Sequence, residues 1–143
     1  MNNRLLSGEY FFTPEHEWIR VENDVAYVGL TSHAKRDLER IENIEIHTIG
    51  RDLDENQVFG RIRTPRYLVK LIMPIRGKVL EGNTIDYNEF NKLERDVDPD
   101  EWIVKIRLVL PLRTEKIFTL EQYKKSQAEG ALHLVKYFLR FGD

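Results

Sequence analysis

Residues 102–108, Trp-Ile-Val-Lys-Ile-Arg-Leu, constrain the fold more than any other stretch of the chain. Trp102, Val104, Ile106 and Leu108 fall on one side of an alternating pattern, which is the period of a strand and not of a helix. Much of the chain repeats this signature: short β-prone runs stop at Gly, Pro, Asn or Asp. Trp18, Ile19 and Val21 precede Glu22-Asn23-Asp24, and Val25-Ala26-Tyr27-Val28-Gly29 follows, so the segment reads as a hairpin. Ile44, Ile46 and Thr48 alternate with Glu45 and His47. Val58–Arg63 reads as a strand, Thr64-Pro65-Arg66-Tyr67 interrupts it, and an apolar run from Leu68 to Ile75 returns. Proline lacks a ladder donor, which makes the interruption a strand end or hairpin tip.

Helical signals are few. Thr31 or Ser32 can cap a short helix carrying Ala34, Leu38 and Ile41 on one side, with Asp37 on a mixed-charge surface. Arg51–Gln57 reads as a polar turn, and residues 88–99 as irregular or briefly helical. Thr119 can cap a last helix beginning with Leu120 and Tyr123. Leu132, Val135, Phe138 and Leu139 then form a helical stripe in the tail. The expected fold class is mostly β with minor α, in one domain over residues 1–143. Its core spans about 10–125, and 126–143 forms a helical C-terminal extension.

With 143 residues, 41% hydrophobic and 32% charged, the chain has the balance of a soluble globular domain. No run approaches the ~20 apolar residues of a membrane span, and the start lacks the apolar core of a secretory signal. The expected location is the cytoplasm. Absent cysteine excludes disulfides, thiolate metal sites and a cysteine nucleophile. His16, His33, His47 and His133 show no ligand spacing such as HExxH, so no metal is expected. No Ser/His/Asp set, phosphate-cradling glycine loop or paired carboxylate stands out, and no catalytic residue is assigned.

Charge is unevenly spread. Val58–Leu80 holds Arg61, Arg63, Arg66, Lys70, Arg76 and Lys78 with no acid. The remaining chain has 16 basic against 24 acidic side chains, a balance of −8. A cationic segment therefore interrupts an acidic protein.

The order of motifs resembles the H protein of the glycine cleavage system. The resemblance begins at Phe12-Thr13-Pro14-Glu15-His16-Glu17-Trp18-Ile19-Arg20-Val21 and continues through Asp24–Thr31, Ala34 and Leu38. Gly50, Phe59-Gly60, Pro74, Gly77, Val79, Asn83 and Trp102-Ile103-Val104-Lys105-Ile106 keep the later spacing. It implies a flattened barrel-sandwich hybrid of the biotinyl/lipoyl carrier type, with a lysine at a hairpin tip joined to lipoate. In that family the arm moves an aminomethyl group from a decarboxylase to a transferase and is then reoxidised by a flavoprotein. The carrier presents the cofactor and is not itself an enzyme.

The tip departs from that pattern. Without a gap between Phe59-Gly60 and Pro74-x-x-Gly77, the lipoyl-lysine position falls on Arg66. The preceding glutamate is Arg63, and the acid four residues beyond is Lys70. Acylation needs a neutral amine. A lysine with a pKa of about 10.4 offers roughly one free amine in two or three thousand at pH 7. A guanidinium with a pKa of about 13.8 offers more than a thousandfold less, with delocalised lone pairs. Arg66 is not expected to carry lipoate.

By strand parity Lys70 shares a face with Leu68 and Ile72, as an edge-strand lysine that discourages pairing between chains. The expected role is a docking or regulatory protein without cofactor. Its basic tip (Arg61, Arg63, Arg66, Tyr67 and Lys70) would meet an acidic patch on a protein partner, such as an enzyme of glycine cleavage or another lipoate-dependent pathway. One alternative is a working carrier with lipoate on Lys70. Another is an anion or nucleic-acid binder, with Tyr67 stacking a base and the arginines holding phosphates. A solvated basic hairpin is the plainer account, so nucleic acid is not the expected partner.

Overall fold

The computed structural model describes residues 9–93, 95–111, 117–128 and 138–140. Its strands are β1 (Glu9–Phe12), β2 (Glu17–Glu22), β3 (Val25–Leu30), β4 (Asn43–Ile46), β5 (Asp52–Leu53), β6 (Val58–Arg63), β7 (Tyr67–Ile72), β8 (Gly77–Gly82), β9 (Trp102–Leu108) and β10 (Phe138–Arg140). Helices α1 (Ser32–Leu38), α2 (Tyr87–Phe90) and α3 (Leu120–Ala128) lie between them, with a 3-10 turn at Pro99–Glu101.

Six strands form one sheet in the order β1-β2-β3-β9-β8-β5, and four form a second in the order β10-β7-β6-β4. Every pairing is antiparallel. The strand faces alternate as the sequence pattern requires. On β9, Val104, Ile106 and Leu108 are buried while Arg107 is exposed; on β6, Ile62 is buried between exposed Arg61 and Arg63, and Phe59 is buried at a shift in register with β7. One continuous core joins the two sheets through Ile19, Val28, Phe59, Ile62, Val104 and Ile106. A smaller cluster of Phe12, Trp18 and Tyr123 sits where α3 meets the opening strands.

Close approach requires glycine at Gly29, Gly60 and Gly77, and the first two bear most on the site. A Cβ on Gly29 would lie 2.2 Å from Trp18 Cε2, so only glycine leaves room for the indole. A Cβ on Gly60 would lie 2.4 Å from the Glu45 carbonyl oxygen, where β4 closes on β6. The second approach sets the strand pair that carries the β6–β7 tip.

The hairpin at 22–24, the cap at Thr31 and the strand at 102–108 stand as read from sequence. Asn23 adopts a φ of 58°, which an Asn in a tight turn tolerates, and Thr31 Oγ1 accepts the Ala34 N–H.

Two expectations change. The polar turn at 51–57 contains β5, two residues paired with Lys78 and Gly77 of β8. The helical stripe expected in the tail does not extend to its last members: Phe138 and Leu139 belong to β10, opposite Val69 and Leu68. An apolar run of this length satisfies either period, and the open edge of β7 supplies a partner that no local signal announces. Leu132 and Val135 lie outside the described residues. Among the described residues, no helix is long and apolar enough to cross a membrane.

Candidate functional site: the β6–β7 tip

Thr64 builds the tip. Its hydroxyl oxygen accepts the Tyr67 N–H at 2.8 Å and the Arg66 N–H at 3.3 Å, while its own N–H donates to the Tyr67 carbonyl at 2.9 Å. Thr64 is 1% exposed, so the turn closes on a buried hydroxyl that satisfies its backbone from within. Arg66 projects from this turn and is exposed.

Glu39 faces Arg66 from the end of α1. Glu39 closes that helix with a φ of 66°, and its N–H donates to the Arg36 carbonyl. Arg66 Nη2 meets both carboxylate oxygens of Glu39, Oε2 at 2.8 Å. The Arg66 guanidinium carbon also lies 5.6 Å from the Tyr67 ring centroid. Glu42 N–H donates to the Arg63 carbonyl at 2.8 Å, a second tie between the α1–β4 loop and the tip.

Strand register places the other basic residues. Glu45, Arg61 and Lys70 lie opposite one another across β4, β6 and β7. Arg61 Nε donates to Glu45 Oε1 at 2.6 Å, which offsets the like charge of Lys70 across the ladder. Arg76 lies 3.3 Å from Asp54. The positive segment read from sequence is therefore partly compensated by acids supplied from elsewhere in the chain: Glu39, Glu45 and Asp54.

Arg61, Arg63 and Lys70 point outward together, Tyr67 is half-buried, and Arg66 stands at the turn. Lys70 shares its face with the partly buried Leu68 and Ile72, as strand parity requires. Glu39 and Glu45, the acids that engage this group, were not marked by any sequence signal. Each lies well away in the chain from the arginine it meets.

Along the body of β6 and β7, away from the turn at 64–67, Glu17, Leu30, Leu38, Ile62, Val69 and Leu71 line a narrow recess, which Glu15, Lys70 and Ile72 also border. Its water-sized space is about 20 Å³, room for a single water. Burial pushes the Glu17 carboxyl up to about 8; Glu15 adds to the rise, and the Thr13 hydroxyl 3.2 Å away opposes it. At neutral pH Glu17 thus presents a protonated carboxyl to an apolar recess rather than a charge. The His16-Glu17-Trp18 run packs into the fold, with each of the three residues buried.

The glycine cleavage H-protein family profile matches residues 10–130. Over 113 residues the chain is 34% identical to the glycine cleavage system H protein of Bacteroides thetaiotaomicron, spanning 79% of this chain and 90% of the relative. It is 31% identical over 119 residues to the corresponding protein of Symbiobacterium thermophilum, spanning 83% and 93%. The crystal structure of an H protein from Mycobacterium marinum superposes with a TM-score of 0.68 at 22% identity, covering 86% of this chain and 98% of that one. The structural likeness speaks to the fold alone.

Proposed function

This chain belongs to the glycine cleavage H-protein family, and on that premise we propose that it is a member unable to hold lipoate at the tip, acting as a docking or regulatory protein and not as an enzyme. The observation that carries this reading is Arg66. It occupies the position where the resemblance puts the lipoyl lysine, and its guanidinium is engaged by Glu39. A guanidinium in an ion pair is a poor acyl acceptor and a good recognition group, with donors arranged for a carboxylate. The fold would bring to its partners the shape of a carrier without the cargo.

The partner that suits this tip is a protein with an acidic surface, in glycine cleavage or another lipoate-dependent system. Arg63, Arg66 and Lys70 would meet it, and a partner carboxylate could take the place of Glu39 on Arg66. A nucleic-acid ligand fits less well, because Arg61, Arg66 and Arg76 already have acids beside them.

The full chain co-expressed with a lipoate ligase and supplied lipoate tests the reading by intact mass, with a lysine-bearing H protein as positive control. The expected result is an unmodified mass beside a modified control. A lipoyl adduct mapped by peptide to Lys70 would overturn it and make the chain a carrier through an exposed strand lysine.

A further inference from the structure

A second polar cluster begins at the first turn of α1 and runs along the helix to Asp37. His16 sits in the tight turn before β2, with a φ of 64° and its side chain fully buried. Its ring stacks on that of His33, with centroids 3.9 Å apart and planes inclined by 23°. His33 Nε2 lies 3.4 Å from Asp37 Oδ2, one helical turn further along α1.

Thr31 Oγ1 donates to the His16 carbonyl at 2.9 Å and lies 3.3 Å from Tyr123 Oη. Tyr123 Oη meets His16 Nδ1 at 2.6 Å. The phenol thus holds the imidazole from its Nδ1 side, and Nε2 is the nitrogen on the other side of the ring. Metal-binding imidazoles are commonly oriented in this way through the nitrogen that does not meet the ion.

One donor atom each from His16, His33 and Asp37 lies within 4.8 Å of the others. A tetrahedral site with bonds of ~2.0–2.1 Å needs donor atoms about 3.4 Å apart. The His33–Asp37 pair already has that spacing. The three donor atoms lie within 4.8 Å, so closing a tetrahedral site requires His33, 35% exposed on the first turn of α1, to leave its stack on His16 and Asp37 to follow it.

We propose that His16, His33 and Asp37 form a binding site for a divalent transition-metal ion of the zinc class, with Tyr123 as the positioning residue behind His16. Two imidazoles and a carboxylate suit zinc better than the hard cations, which prefer oxygen alone. An ion there would tie the turn before β2 to the start of α1, and through Tyr123 to α3. The site is separate from the tip and does not depend on the reading given for it.

The test is calorimetric titration of Zn2+ alone into chelator-stripped full-length protein, with thermal unfolding followed in parallel. Wild type should bind one ion per chain, and its melting temperature should rise with Zn2+. His33→Ala and Asp37→Asn should each weaken binding at least tenfold, Tyr123→Phe should weaken it about tenfold, and His47→Ala should bind as wild type. His33 and Asp37 are both partly exposed, and an unchanged metal-free melting curve for those variants separates lost ligation from lost folding. Absence of one-to-one binding in the wild type, or wild-type affinity in folded His33→Ala, would overturn the proposal.

Discussion

The two ends of α1 treat charge in opposite ways. At its start, His16, Glu17, Thr13 and Thr31 are buried among Trp18 and Tyr123, and hydrogen bonds among them satisfy much of the cluster. At its end, Glu39 meets Arg66 in water, with side chains more than half exposed. A buried polar group that loses its partner costs its full desolvation, whereas an exposed ion pair contributes little because water competes for both members. The first end is therefore bound to stability, and the second can change its chemistry at small structural cost.

Trp18→Ala attacks the buried end most directly. It removes a fully buried indole that packs against Tyr10, and should cost ~3–5 kcal/mol by chemical denaturation. A loss comparable to that of a surface variant would mean that the opening strands are not part of the cooperative unit.

Gly29→Ala tests the same packing from the other side, since the new methyl meets the indole ring. A destabilisation of ~1–3 kcal/mol is expected, and the paired variant Gly29→Ala/Trp18→Phe should recover part of it.

Glu17 makes the buried end sensitive to pH. Its folded value of about 8 lies above the ordinary 4.5, so between those limits the folded state holds the proton more tightly. The stabilisation is complete below about pH 4 and is lost as pH rises toward 8. Unfolding free energy should fall on the order of a few kcal/mol across that window. Glu17→Gln should flatten the profile, and an unchanged slope would remove Glu17 as its source.

At the exposed end, Glu39→Ala should change stability by less than ~1 kcal/mol. Its effect should appear in recognition, with freed Arg66 strengthening capture of an acidic protein surface at low salt and losing the gain as salt rises. A large stability loss would show that the tip ion pair is structural and erase the contrast between the two ends.

The chain's local grammar reveals most of the architecture. Alternation identifies β9, Glu22-Asn23-Asp24 turns β2 into β3, Thr31 caps α1, and Pro65 interrupts the run that becomes β6 and β7. These features depend on neighbours a few residues apart. The tail shows where such reading fails. Phe138–Arg140 becomes a strand because β7 offers an open edge, and β5 exists because β8 does. The site divides in the same way: the basic hairpin with Arg66 at its turn is legible from the sequence, but Glu39 beside it is not. His33 and Asp37 stand four residues apart on one helix face, a spacing that a reading for histidine ligand patterns passes over. His16 and Tyr123 join them only through the packing of β2 and α3.

Sequence alone determined the period of each segment, the chemistry available at the tip and the absence of any thiol. Those are properties of residue type and short-range backbone preference. Tertiary structure decided which charges are compensated, which carboxyl is held neutral and which histidines meet. Each of these depends on distance and solvent exposure between residues far apart in the chain, and only the closed sheets set those quantities.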